Sequence, residues 1–360
     1  MKDLSVDLKN SPMASLAYLD EQDVLKRYRD FKKFDVVEDY SDHLIGAHMR
    51  QASSCVYSFD IITTLEYISV EKIEKEWKIL KENLPGTFSI IIRISIIVSL
   101  FHEEQRHSTF ALFCDRENIC EGLQTMRELL RAVIIRAEGT PYHDGLFFFD
   151  VCMPGGYVAT FSPEPRVRYH SHHSDCLSIN PHIYASGEVS FSLLRRDRNG
   201  KIDWEEIWIP GTSNMVQLLV CIQDMLLNAN PLLNYVYYRS VDSASIDRQQ
   251  HSLLNNENTI IKTLKTMIST MNKPPKHFEE LVIGHFRSRV RHILTSCKGY
   301  MEGLFLEGKK EERCSVEFRK DVASYVKPLV DAFIKIGAKE AHKYLLIAWI
   351  SSIIHPQLCC

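Results

Sequence analysis

Apolar and polar positions change rhythm several times along this chain. Ile73, Trp77, Leu80 and Leu84 recur at helical spacing, so Val70–Leu84 is predicted to be an amphipathic helix. Lys72, Lys75, Lys78 and Lys81 fall largely off that stripe, and Pro85-Gly86 stops it. From Phe88 the pattern becomes that of strands. FSIIIRISIIVSLF, LLRAVIIRA, GLFFFDVCM and RVRYHS are rich in β-branched and aromatic residues and lie between turn signals. Short loops between the last three predict an antiparallel meander. Helical spacing returns in Asn214–Leu227, with Ser213 or Asn214 as its cap and Gln217 placed to complete a capping box. Three more helices are predicted over Thr259–Asn272, His277–Leu304 and Val316–Ile336, the first stopped by Pro274-Pro275.

Other stretches carry no period. Residues 1–68 read as loosely ordered, with Phe31–Ile45 a solvated linker bearing a short docking patch. Residues 236–258 read as a second linker, and Arg195–Ile207 as a charged turn around Asn199-Gly200. The loop His170–His182 is long, and a long ordered loop inside a compact domain is usually functional. Its His170, His172, His173 and Cys176 do not follow a zinc-binding spacing, so no metal site is assigned.

Composition narrows the classes. The 360 residues suffice for one large domain or two ordinary ones, and a formal charge of -3 leaves no electrostatic footprint for nucleic acid. The ten cysteines include no C-x-x-C pair, and the N-terminus lacks a signal peptide's apolar core. Both point to reduced thiols in the cytoplasm or nucleus. The apolar run Phe88–Phe101 contains Arg93 and falls short of the about 20 residues that a membrane span needs.

The motifs GTPYHDGLFFFD, YHS, INPHIYASGEVSFSLL, WIPG and QDMLLNANP follow one another over about a hundred residues. In that order they resemble the catalytic core of the ubiquitin-conjugating (E2) enzymes. The resemblance is strongest to their large plant branch, which groups with the hybrid E2/E3 ligases. It implies an α+β, UBC-like fold: an antiparallel β-meander flanked by helices, with a core over 69–235. PPKHFE and GHF resemble that branch's helical C-terminal extension, here 259–354, and FKKFDVVEDYSDH resembles a stretch that precedes its core. The implied function is to carry ubiquitin from the activating enzyme (E1) to substrate lysines with the help of E3 ligases. No cofactor is bound, ATP being used by E1. Lys72 and Lys75 would contact E1, and Trp208 and Pro210 would contact E3.

Two departures qualify the resemblance. Between the first two strands the chain carries roughly 30 extra residues, about 93–126, against a usual hairpin loop of 2–5. A true insertion and a translated intron both fit. Second, the family's acceptor cysteine sits in the pattern G-x-V-C-[LV]-S-L-L, and here that position is Ser190. A thiol ionises appreciably near neutral pH and exchanges acyl groups readily, whereas a serine hydroxyl needs an adjacent base. The family's oxyanion-stabilising asparagine is replaced by His182. A lost oxyanion donor commonly costs about 2.7–4 kcal/mol. Cys221, among Val216, Leu219 and Ile222, reads as a structural thiol, and the place of Cys176 is not fixed by sequence. Two functional classes stand: a ubiquitin carrier impaired at its acceptor position, and an inactive variant that binds E1, E3 or substrate.

Overall fold

A computed structural model describes residues 12–37, 41–45, 70–84, 90–99, 125–136, 138–152, 165–171, 179–190, 192–196, 202–206, 213–235, 238, 245–304 and 314–344. Five strands form the main sheet: β1 Phe34–Val36, β2 Ile90–Ser99, β3 Thr125–Ile135, β4 Leu146–Cys152 and β5 Arg166–His170, in that spatial order. β2 to β5 make the antiparallel meander that the sequence predicts, with Val133 opposite Phe148 and Phe149 opposite Tyr169.

The apolar runs are continuous because both faces of this sheet are covered. Successive side chains point to opposite faces. Ile90, Ile92, Ala132, Ile134, Phe147, Phe149 and Val167 pack towards helix α3 (Val70–Asn83) and helix α4 (Met215–Cys221). Trp77 and Leu84 of the predicted stripe lie half-buried against this layer, and Leu80 is buried in it. Ile91, Val133, Leu146 and Phe148 face the other way, into a core built by α5 (Ile246–Asn272), α6 (Glu279–Met301) and α7 (Val316–Lys335). The C-terminal helices therefore form the third layer of a helix–sheet–helix sandwich. Burying a phenylalanine fully is worth roughly 1.5–3 kcal/mol, and Phe147, Phe148 and Phe149 are all buried in succession.

Several expectations need correction. Residues 12–37 and 41–45 are not loose. Helix α1 (Pro12–Ala17), helix α2 (Glu21–Arg29) and β1 lie there, and β1 joins β2 in parallel, with Phe34 opposite Ile92. Asp20 caps α2 by accepting from Asp23 N–H at 2.8 Å, with acids in its first turn and Lys26, Arg27 and Arg29 in its last. α2 docks on α6, where Tyr28 packs over Gly284 so closely that any Cβ at 284 would overlap it. Arg287 holds Glu21 through Nε at 3.0 Å and Nη2 at 2.5 Å.

The residues 41–45 plug a charged pair in the middle of the sheet. Arg131 on β3 faces Asp150 on β4, and both are fully buried. Arg131 donates to Asp150 from Nε at 2.5 Å and Nη2 at 2.9 Å, and to Asp42 from Nη1 at 2.9 Å. Leu44 N–H donates to Asp150 at 2.7 Å, and Lys276 N–H donates to Asp42 at 3.0 Å. Sequence periodicity missed this segment because charged hydrogen bonds, not an apolar stripe, anchor it.

Three boundaries move as well. β2 runs to Ser99 and pairs in register with Thr125 to Ile134, so residues 93–99 and 125–126 belong to the sheet and not to an insert. Residues 100–124, which hold the rest of the proposed insertion, lie outside the described residues. The linker 236–258 is cut short, because α5 begins at Ile246. The charged turn Arg195–Ile207 contains a hairpin of β6 (Ser192–Arg196) and β7 (Ile202–Glu206), with Leu194 opposite Trp204. Among the described residues no helix is long and apolar enough to cross a membrane.

Candidate functional site

The segment that carries Ser190 is fastened to the sheet beyond β5. Tyr169 N–H donates to Gly187 O at 2.7 Å, and Val189 N–H donates to Val167 O at 2.9 Å. A tight reversal precedes it. Ile183 bridges Val189, Gly187 N–H donates to Tyr184 O at 2.8 Å, and Gly187 takes a φ of 83°, where a side chain would be strained. The next backbone bond runs from Ser190 N–H to His182 O at 2.8 Å. The two candidate residues are thus neighbours across this reversal, joined by main chain.

Their side chains do not form a catalytic pair. His182 Nε2 lies 3.1 Å from Asn234 O. A carbonyl only accepts, so Nε2 carries the proton and Nδ1 of the neutral ring is an acceptor. In that tautomer His182 has no second N–H to offer an oxyanion. Ser190 is half-buried, and its Oγ makes no hydrogen bond among the described residues.

A shell of asparagines, missed at the sequence level, sets this geometry. Asn180 is buried, accepts from His182 N–H at 3.0 Å and donates to Leu226 O at 2.8 Å. α4 runs into a π-helical turn, Ile222–Leu226, whose end leaves carbonyls to be satisfied. Met225 O accepts from Asn228 Nδ2 at 2.7 Å and from Asn234 Nδ2 at 2.8 Å. The run NANPLLN carried the signal: three amides just past a helix end. Tyr142 closes the other side by donating to Ile179 O at 2.8 Å, and burial keeps its phenol far from ionisation. At the start of α4 the predicted capping box is present. Asn214 accepts from Gln217 N–H, and Gln217 accepts from Asn214 N–H, both at 3.0 Å.

The remaining candidates separate. Lys75, Lys78 and Lys81 are exposed along α3, and the Lys72 side chain lies outside the described residues. Trp208, Pro210 and Cys176 lie outside them too. Cys221 is half-buried against the sheet core, as a structural thiol would be. His170 sits in the Arg131–Asp150 network, with Nδ1 3.4 Å from Asp150 Oδ2. One group of metal-competent side chains does converge elsewhere, where the β3–β4 turn meets α6: His143, Asp144 and His292.

Comparison with known proteins agrees with this architecture. The family model for the ubiquitin-conjugating enzyme matches residues 111–241. The putative ubiquitin-conjugating enzyme E2 38 of Arabidopsis thaliana is 36% identical over 322 residues, which are 87% of this chain and 83% of that protein. The probable ubiquitin-conjugating enzyme E2 26 of the same plant is also 36% identical, and the match spans 87% of this chain but half of that longer protein. The dual E2 ubiquitin-conjugating enzyme/E3 ubiquitin-protein ligase BIRC6 of Homo sapiens is 29% identical over 52% of this chain and 4% of its own length. On these matches, and on the layered sheet that carries its motifs, the chain belongs to the ubiquitin-conjugating enzyme (E2) family.

Proposed function

We propose that this protein is an E2-family member of the ubiquitin pathway that engages ubiquitin-pathway partners but carries ubiquitin poorly or not at all. The observation that carries the proposal is Ser190 at the position where the family pattern has cysteine. A serine can replace a thiol only with a base beside it. Among the described residues no base is hydrogen-bonded to Ser190 Oγ, and one side-chain bond of His182 runs from Nε2 to Asn234 O. The otherwise intact scaffold supports binding. Lys75 on α3 would contribute to E1 contact with Lys72, and Trp208 and Pro210 would meet an E3 ligase. The protein would work in the cytoplasm or nucleus, and its ubiquitin chemistry would use no bound cofactor, ATP being used by E1.

The test is incubation with E1, ATP and ubiquitin, followed by gels with and without reductant. The wild type should give no reductant-sensitive adduct. Ser190→Cys should give one, and Ser190→Cys with His182→Asn should discharge faster to lysine than Ser190→Cys alone. A thioester on the unmodified protein, abolished by Cys176→Ala, would overturn the proposal.

A further inference from the structure

His143, Asp144 and His292 meet in an arrangement that the ubiquitin chemistry does not use. His143 Nδ1 lies 2.9 Å from Asp144 Oδ2, and His292 Nδ1 lies 2.6 Å from the same oxygen. The three donor atoms fall within 4.8 Å of one another. Asp144 adopts a φ of 61°, a left-handed conformation uncommon outside glycine, which aims its carboxylate at α6. His143 and Asp144 are buried, and the His292 side chain is 35% exposed, so the group is open on one side.

The outer partners of these residues are what single the cluster out. His292 Nε2 lies 3.0 Å from Glu138 Oε1. An ionised carboxylate only accepts, so Nε2 carries a proton. In the neutral ring Nδ1 is then a lone pair 2.6 Å from a carboxylate oxygen, a repulsive contact that a cation relieves, and in this structure the Arg289 guanidinium stands 3.0 Å from that nitrogen. His143 Nε2 lies 2.7 Å from Tyr300 Oη, which can accept its proton and leave that Nδ1 as a second lone pair. Arg289 takes the other Asp144 oxygen, Oδ1, through Nε at 2.6 Å. Each inner atom thus belongs to a residue whose outer atom is already held. Histidine ligands of metals characteristically donate their second ring N–H to a carboxylate or another acceptor in this way.

We propose that His143 Nδ1, His292 Nδ1 and Asp144 Oδ2 bind a divalent transition-metal cation, with zinc the best match. Two imidazoles and a carboxylate are a borderline donor set suited to zinc, and three protein ligands leave a fourth position for water. Tetrahedral bonds of about 2.0–2.1 Å place ligand atoms about 3.3 Å apart, so the two histidine–Asp144 distances open by about half an ångström on binding. The Nη2 of Arg289, 3.0 Å from His292 Nδ1 and 2.6 Å from Asp144 Oδ1, gives way at the same time, while Nε keeps Oδ1. Arg289 is 35% exposed and can turn to water. The ion would join the turn between β3 and β4 to α6, and so fasten the C-terminal helices to the E2 core.

The test uses the full-length chain, kept reduced. Zinc affinity is read by competition with a chromophoric chelator, and cobalt(II) substitution is read by absorption. The wild type should bind one equivalent, with a cobalt spectrum free of the thiolate charge-transfer band that cysteine ligands would give. Zinc should raise its melting temperature. His292→Ala should lose the bound equivalent and the melting shift. Glu138→Ala removes an outer partner on an exposed residue, so folding is not at stake, and should weaken binding about 10–100-fold. No binding by the wild type, a thiolate band, or equal affinity in all three proteins would overturn the proposal.

Discussion

Arg131→Met tests how the N-terminal segment is held. In the wild type, Asp150 receives hydrogen bonds from Arg131 Nε and Nη2 and from Leu44 N–H, with His170 Nδ1 a longer contact at 3.4 Å. Burial alone would push its carboxyl up. The Arg131 charge beside it, helped by His43 and the hydrogen bonds, overrides burial and holds it well below the usual carboxylate range. Methionine keeps much of the arginine stem's volume but leaves Asp150 with a fully buried charge and removes two of its hydrogen bonds. Breaking one side of a buried pair costs about 3–5 kcal/mol. At roughly 2–4 °C per kcal/mol, that is a melting-temperature loss of roughly 6–20 °C. The pH dependence carries a sign. In the wild type the folded-state value lies below the unfolded value of about 3.9, so Asp150 stabilises above that pH, and its contribution is lost as pH falls towards the folded-state value. In Arg131→Met the buried carboxyl loses its main charge partner and keeps only Leu44 N–H and the nearby His43 and His170, so burial should raise it, and this variant should regain stability as pH is lowered from 7 to about 5 while the contribution of Asp150 to the wild type holds. Urea unfolding of both proteins across that range measures it. A loss under about 1 kcal/mol, or parallel pH profiles, would refute the assignment of this pair as the anchor.

Two further outcomes follow from the C-terminal layer. Glu257 is buried on α5 and accepts from Ser315 N–H at 2.6 Å and Ser315 Oγ at 2.7 Å, at the start of α7, so Glu257→Ala should cost about 1–3 kcal/mol in urea unfolding. An unchanged midpoint would mean that Ser315, which itself accepts from Phe318 N–H, caps α7 unaided. Gly284→Ala places a Cβ against Tyr28 and should loosen α2, read as faster proteolysis within residues 12–29 while α6 stays protected. Equal cleavage rates would show that α2 docks without this close approach.

How much was legible depended on what kind of force holds each part. The meander, α3 and the C-terminal helices announce themselves through period, because apolar burial leaves a repeat in the sequence. The period even contained the three-layer arrangement: β3 and β4 are apolar at both odd and even positions, which makes sense only for a sheet covered on both faces. Asp42 and Asp150 left no such trace. Their partners lie 89 and 19 residues from them in the chain, and a charged pair has no spacing rule. The start of α5 was hidden for a related reason, since SIDRQQHSLLNNEN is polar on most faces and only Glu257 and the residues beyond it are buried.

The site itself divides along the same line. Position 190 could be singled out by motif order alone, within a run of eight residues. The tautomer of His182 could not, because it is set by Asn234 O, 52 residues away, presented by a turn that follows a π-helical helix end. That contact changes the chemical argument. An asparagine amide offers two N–H groups and can spend one on structure while keeping another for an oxyanion. A neutral imidazole has one, and here Asn234 O takes it. If position 182 has the oxyanion role that the family pattern implies, histidine there would lack the spare donor that asparagine keeps, even though histidine is a donor residue. Restoring the thiol at 190 alone should revive loading before it revives discharge, because the donor change at 182 bears only on the second step.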